Sequence, residues 1–387
     1  MSGRPARIAG WALRIAVFLV LAGIIAVFQV DRASRDRISL LAWVPPGLGG
    51  FADGNIARPL ALVKPDMAVE RATATLKHRP VDAGNLAAFA VAAIEADDEA
   101  RAGQALSLAA QRGWRDTYTQ VMVIGSALAS QRWEVVAQRI DALARLRREE
   151  QAINGFLSLT VREDEGRRAI AKRMAESEPL VEAVTGFLDS YSEYGPEVAQ
   201  TVAYAEEEGA LECERLARVA RLLLSESRAD EVLGFWPQRC DSGGEGMGFA
   251  FADNQADPFT WQFPSQAGVS VRPGNEDGTL TARNRDPLRR RFASRYLLLE
   301  PGSYTVRLEQ SQKSGTAYSS PGRPAEVQVF VRCVRPEEGA SAVLLNEPYA
   351  DGLLFVVPES CKTQHLSLTL GKGRVTDLAI QLSPGGA

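Results

Sequence analysis

The hydrophobic period of the chain changes once, near Gly248, and that change limits what it can fold into. From Met67 to Cys240 alanine, leucine, arginine and glutamate dominate, and apolar residues recur at three- and four-residue steps. That is the period of amphipathic helices. Breaks are expected at Pro80, Arg112–Gly113, Asn154–Gly155, Pro179, Gly195–Pro196 and Gly209. After Gly248 apolar residues alternate instead. Val269–Val271, Leu280, Tyr296–Leu298, Tyr304–Val306–Leu308, Val327–Val329–Val331, Leu366–Leu368–Leu370 and Leu378–Ile380–Leu382 read as strands. Turn pairs such as Pro273-Gly274, Asp277-Gly278, Pro301-Gly302 and Asp351-Gly352 separate them. Many short strands with no helix between them predict a β-sandwich or jelly roll. The glycines of "CDSGGEGMG" between the two regions match no phosphate-binding loop and read as a linker.

The N-terminus adds a third element. Ile8 to Val30 carries Arg14 as its only charge. About 20 such residues cross a bilayer as a helix. Arg4 and Arg7 precede the run, which places that end in the cytoplasm, although Arg32, Arg35 and Arg37 follow it. An uncleaved anchor and a cleaved signal peptide are the two readings. No small-x-small site follows the run, which favours the anchor. Residues 31–66 hold the Pro- and Gly-rich "WVPPGLGGFADG", a linker or a membrane-proximal collar.

Four cysteines, Cys213, Cys240, Cys333 and Cys361, lack zinc spacing. Three pairings are open to them. Cys213–Cys240 and Cys333–Cys361 keep each bond within one region, and export favours the second bond at least. Four buried thiols are the alternative.

The helical region contains a repeat. The spacing of Ala90, Ala102 and Ala109 recurs in Gly125, Ala137 and Ala144, and Leu86, Phe89 and Leu106 supply larger core residues around the first set. Small residues at these steps let antiparallel helices approach closely. Over residues 82–147 the pattern resembles the tetratricopeptide repeat, whose helix pairs recur about every 34 residues. Ala93 stands at the family's tyrosine position and Trp114 at its usual proline. The resemblance implies a degenerate array of stacked helix pairs. It implies also either a concave surface for a protein partner or a plain spacer.

The C-terminal region has its own resemblance. "PFTWQF", "YLLLEPGSYTVRLE" and "VTDLAIQL" are similar to the opening, central and closing strands of carbohydrate-binding jelly-roll modules. The alternation puts Phe259, Trp261 and Phe263 on one face, either as core or with Trp261 as a sugar-stacking platform. The resemblance also suggests a calcium ion held by Asp253, Asn254, Asp257 and Asp377. Calcium takes six to eight oxygens, and turn chemistry is the other account of these residues. "RNRDPLRRRF", residues 283–292, is the densest basic segment. Arg289, Arg290 and Arg291 are candidates there for an anionic glycan, against a solvated loop.

Catalytic signatures are absent. Two histidines, His78 and His365, leave little for metal or general-base chemistry, and no nucleophile elbow, zinc-protease helix or P-loop occurs. A net charge of −4 gives nucleic acid no electrostatic footing. The expected order is a cytoplasmic tail (1–7), a transmembrane helix (8–30), a linker or collar (31–66), a tetratricopeptide-like α-helical array (67–240), a linker (241–248) and a β-sandwich (249–387). Such a chain reads as a single-pass inner-membrane protein with its bulk in the periplasm. Its expected role is a non-enzymatic scaffold for envelope or exopolysaccharide assembly, without a cofactor. A glycan-active enzyme and a purely structural subunit are the alternatives.

Overall fold

A computed structural model describes residues 4–34, 37–45, 50–209, 211–241, 246–251, 257–310, 326–336, 338–339, 341–348 and 352–385. Among them thirteen α-helices precede nine strands. The helices are α1 (Arg4–Ala33), α2 (Ala52–Ala61), α3 (Pro65–His78), α4 (Ala83–Glu95), α5 (Glu99–Arg112), α6 (Thr117–Ala129), α7 (Trp133–Leu146), α8 (Glu150–Thr160), α9 (Asp164–Met174), α10 (Glu178–Ser190), α11 (Gly195–Glu208), α12 (Cys213–Ser225) and α13 (Ala229–Phe235). The strands are β1 (Val269–Pro273), β2 (Leu280–Asn284), β3 (Arg290–Leu297), β4 (Gly302–Gln310), β5 (Val327–Cys333), β6 (Val343–Pro348), β7 (Leu353–Val357), β8 (Gln364–Leu370) and β9 (Gly373–Pro384). The change from helix to strand lies between Cys240 and Val269. The division into compact units falls elsewhere: Met1–Phe156 forms one and Leu157–Ala387 the other.

In the first unit, α1 contains a stretch, Leu13–Ala33, long and apolar enough to cross a membrane. Its last turn is held by Asp31. That carboxylate is buried and accepts from the backbone N–H groups of Gly50 (3.1 Å), Phe51 (3.0 Å) and Ala52 (3.0 Å) at the start of α2. An anion there satisfies donors a helix start leaves open and complements the helix dipole. Asn55 adds a bond from its side-chain amide to the Ser34 carbonyl, at 3.0 Å. The chain after the apolar helix is therefore a built collar.

Consecutive helices then pair as hairpins, α2 with α3, α4 with α5 and α6 with α7. Aspartates begin three of these helices: Asp82, Asp98 and Asp116 accept from the backbone N–H of Asn85, Arg101 and Thr119. Each cap removes one orphan donor of its helix start. Ala90, Ala102, Ala109, Ala137 and Ala144 are buried where helices meet. Gly125 departs from the expected repeat. It is exposed, with open space where a Cβ would stand, so it mediates no close approach. Ile124 and Ala127 are the buried residues of that turn. Likewise Asn154–Gly155 lies inside α8 rather than at a break. A glycine on an open helix face costs about 1 kcal/mol and does not end a helix. The break comes at Arg147 and Glu149, which take positive φ of 50° and 60°.

In the second unit alternate helices pack instead, α9 on α11, α11 on α13 and α10 on α12. The disulfide Cys213–Cys240 joins the start of α12 to the end of the helical segment, with Cα atoms 5.4 Å apart. Beyond it two antiparallel sheets form a sandwich, ordered β1-β2-β9-β4-β7 and β3-β8-β5-β6. Inward residues of both, among them Leu280, Val306, Val329, Leu366, Leu368 and Ile380, share one core. The expected strands all appear. β6 and β7 were not among them. Each lies at one edge of its sheet, as β1 and β3 do at the other. In β7 the outward Leu354 and Val356 are apolar like the buried Phe355 and Val357, so no alternation shows, and in β6 only Leu345 is buried.

The segment "PFTWQF" is not a strand beyond one bridge, Gln262 to Ser294. Trp261 is nonetheless the largest fully buried side chain of the sandwich. Its Nε1 donates to the Met247 carbonyl at 2.9 Å, and Phe249 lies 4.8 Å from it, centroid to centroid. With no exposed ring face, the indole cannot stack on a sugar, and the core alternative is the one the fold adopts. On the outer side of the second sheet, Tyr296, His365 and Arg332 are neighbours across β3, β8 and β5. Burial, and then the nearby Arg332 and Arg291, push the His365 imidazole down to about 4.

Two predictions follow from the sandwich. Cys333–Cys361 closes a loop of 28 residues with Cα atoms 5.5 Å apart, inside the range a disulfide needs. Chain entropy assigns such a loop about 3–4 kcal/mol. Cys333→Ala should lower the melting temperature, adding Cys361→Ala should cost little more, and native protein without reductant should show no reactive thiol; two labelled thiols would refute the bond. The second concerns acid. The unfolded imidazole takes its proton near 6.5 and the folded one only near 4. The unfolded state therefore binds more protons in that window, and stability falls as pH is lowered through it. The opening free energy of β8, from hydrogen exchange corrected for the intrinsic pH dependence of amide exchange, should fall between pH 6.5 and 4 in the parent, and His365→Gln should remove most of that slope; an unchanged slope would assign the effect to other groups.

Candidate functional site

The site is built by the pleat of the first sheet. Along β1, Val269 and Val271 turn toward the core, so Ser270 and Arg272 face out. Along β2, Leu280 and Ala282 point to the core and Thr281 and Arg283 to the other face, where Thr281 is buried and accepts from the Asp377 N–H at 3.4 Å while Arg283, like Arg285 two residues on, is exposed. On β9, Val375 is buried and Arg374 beside it is exposed. Register then brings these side chains together. Ser270 is opposite Arg283, Arg272 opposite Thr281, and Arg283 opposite Arg374. Arg285 continues the row, its N–H bonded to the Gly268 carbonyl at 2.9 Å.

These six side chains line one groove of about 460 Å³. Two are hydroxyls and four are guanidiniums. No carboxylate among the described residues pairs with Arg272, Arg283, Arg285 or Arg374, whereas Arg289 and Arg290 nearby do pair. Arg283 and Arg374 sit directly across an antiparallel pair, where like charges are destabilising. The arrangement thus costs stability and leaves about five N–H donors per guanidinium without a bonded acceptor among the described residues. Guanidinium forks of this kind match carboxylate and phosphate oxygens two at a time.

Of the basic segment 283–292, its first two arginines belong to this groove. Arg289 is committed to Glu326, through the carbonyl at 2.9 Å and the carboxylate at 2.8 Å. Arg290 clasps Asp286 through Nε at 3.0 Å and Nη2 at 2.6 Å. Arg291 is exposed at the start of β3, in the other sheet, near His365. The structure therefore does not bring Arg289, Arg290 and Arg291 together with Trp261, which is in the core. The density of arginines in sequence was a poor guide, because neighbours in a strand face opposite ways. The informative signal was Arg at alternate positions, Arg272, Arg283 and Arg285, on strands whose other face is apolar.

The four oxygen ligands proposed for calcium are divided. Asp253 and Asn254 lie outside the described residues. Asp257 caps a turn, accepting from the Phe259 N–H at 2.7 Å. Asp377 occupies a left-handed position, φ 48°, where β9 slips register against β2. Its carboxylate accepts from the Asn275 backbone N–H at 2.6 Å and side-chain amide at 2.7 Å. An aspartate tolerates that backbone and fastens the turn after β1. Among the described residues no three His, Cys, Asp or Glu side chains are grouped to hold a metal.

No family model and no curated protein matches the sequence. Among solved structures, the crystal structure of accessory secretory protein 1,2 and 3 in Streptococcus pneumoniae overlaps 30% of this chain and 87% of that one, at 13% identity and a TM-score of 0.21. An overlap at that score says nothing of function, and the groove has to be read from its own chemistry.

The unpaired charges make a stability test. Arg283→Gln or Arg374→Gln should raise the melting temperature at low ionic strength, by the equivalent of a few tenths to about 1 kcal/mol. The gain should shrink in high salt, which screens exposed charges beyond roughly 10 Å at 0.1 M and less as salt rises. A substitution that destabilises the sheet at both salts would mean the guanidinium has a protein partner.

Proposed function

We propose that this chain is a membrane-anchored binding protein of the cell envelope, whose β-sandwich takes a polyanionic glycan in the groove of Arg272, Arg283, Arg285 and Arg374. The observation that carries this reading is four guanidiniums lining one groove with no carboxylate partner among the described residues. Carboxylate- or phosphate-bearing sugar units are the acceptors that such forks fit. The exposed Ser270 adds a neutral hydroxyl suited to sugar oxygens. Guanidiniums stay protonated and offer neither general acid nor general base near neutral pH, so the role is binding and positioning rather than catalysis.

Export supports the same reading. One helix is long and apolar enough to cross a membrane, and two cysteine pairs lie at disulfide distance, which suits an oxidising compartment. In this account α1 stays in the inner membrane as an uncleaved anchor and the remainder lies in the periplasm, accessory to polysaccharide assembly.

The full-length protein in nanodiscs should bind a uronic-acid oligosaccharide and not a neutral one of equal length. Affinity should fall steeply with salt, and Arg272→Gln with Arg283→Gln and Arg374→Gln should lose binding while the melting temperature holds or rises. Equal binding of the neutral sugar, or retention by the triple variant, would overturn the glycan reading. A reporter enzyme fused after Ala387 should be active only outside the cytoplasm; cytoplasmic activity would overturn the topology.

A further inference from the structure

The three most exposed large apolar side chains outside α1 are Leu62 (76%), Trp43 (75%) and Val63 (74%). All three belong to the collar that follows the apolar helix. Trp43 ends a 3-10 turn, Ile38–Trp43, that packs against α1. Leu62 and Val63 follow the last residue of α2. Leu41 of the same 3-10 turn lines one groove of about 650 Å³ with Ile56, Pro59, Leu60 and Val63. The start of α2 is held at the end of α1 by the Asp31 carboxylate, and its far end shares that groove with the turn. Both ends of α2 are thus tied to the C-terminal end of α1, one directly and one through the turn.

Exposed apolar surface of this kind marks a partner. We infer that the occupant is the bilayer itself: the collar formed by the 3-10 turn and the end of α2 lies in the membrane interface, with Trp43, Leu62 and Val63 inserted among the lipid chains. This rests on the reading of α1 as a membrane helix. Continuity selects lipid over a protein partner, since the apolar surface of the collar begins where the Leu13–Ala33 span ends. The rim has the matching chemistry. Arg32, Arg37 and Lys64 are exposed and pair with no carboxylate among the described residues, which suits anionic head groups. Tryptophan favours that depth, with its ring in the chain region and its N–H toward the head groups. Lys64, next to Val63, reaches back to the phosphates along its own apolar stem. The collar then acts as a second attachment that fixes the tilt of the first unit on the membrane.

The test uses the full-length protein in phosphatidylethanolamine–phosphatidylglycerol vesicles with a lipid carrying a diazirine on its acyl chain. After irradiation, adducts mapped by mass spectrometry should fall within residues 37–45 and 60–64 as well as within α1. Leu62→Ser with Val63→Ser should lower the adducts at 60–64 severalfold and leave those in α1 unchanged. Adducts confined to α1 would overturn the inference, and so would collar-to-collar crosslinks between two copies in place of lipid adducts. Absence of adducts from α1 itself would instead overturn the membrane reading on which it rests.

Discussion

Alternation across the pleat is the constraint on which the sandwich and its groove both depend. In a strand, consecutive side chains leave on opposite faces. Once Leu280, Ala282 and Val375 are committed to the core, Thr281, Arg283 and Arg374 have no choice of side. The same rule that closes the core over Trp261 gathers the arginines on the opposite surface. A slip of one residue between β2 and β9 would bury guanidiniums and expose valine and leucine, so the core fixes the register of the site. The left-handed Asp377, tied to Asn275, marks where β9 takes up its one irregularity, between the partners of Leu280 and Ala282.

Asp31 plays the corresponding part at the other end of the chain. A carboxylate that leaves water must recover its hydrogen bonds, and three consecutive N–H groups at the start of α2 supply them. Nearby, the Arg79 guanidinium lies 3.6 Å from the Phe51 ring centroid, and Arg71 reaches Asp53 at 2.8 Å. Each contact alone is modest. Together they bind α1, α2 and α3 into one piece, so the apolar helix is joined to the hairpins without a free tether. That is the physical difference between a leash and a mount.

Much of this was legible in the sequence, and the failures share a cause. The helix-to-strand change and the apolar N-terminal helix follow from period and composition, which are local. The cysteine pairs were narrowed only by keeping each bond within one region, and for Trp261 both core and platform stood open. What was not legible depends on pairing between distant segments. The outward residues of β7, Leu354 and Val356, are apolar like its inward ones, and β6 buries Leu345 alone. Gly125 shares a spacing with Ala90 but not its surroundings. The arginine groove needs β2 beside β9, a pairing across about ninety residues that strand periodicity does not specify. Arg289 and Arg290, crowded in sequence, are neutralised by Glu326 and Asp286, whereas Arg374 stood alone in its segment.

The geometry of the groove also bears on the size of its ligand. All four guanidiniums are exposed, so each contact with an anion is made against water and screened by salt. A single phosphate or carboxylate would gain at most one or two forks there, and exposed ion pairs are each worth about 0–1 kcal/mol. A polymer with a charge on successive units is different. Once one unit is seated, the next is held at high effective concentration, and weak contacts combine without any one being strong. Arg283 and Arg374 lie directly across neighbouring strands, about 4.8 Å apart in a sheet, and Arg272 is displaced along β1 to face Thr281, so the charge extends along the strands as well as across them, over a distance comparable to a sugar residue. An open, shallow row of unpaired arginines is thus poorly suited to retain a small anion and well suited to a repeating one, and the salt dependence of binding should be correspondingly steep.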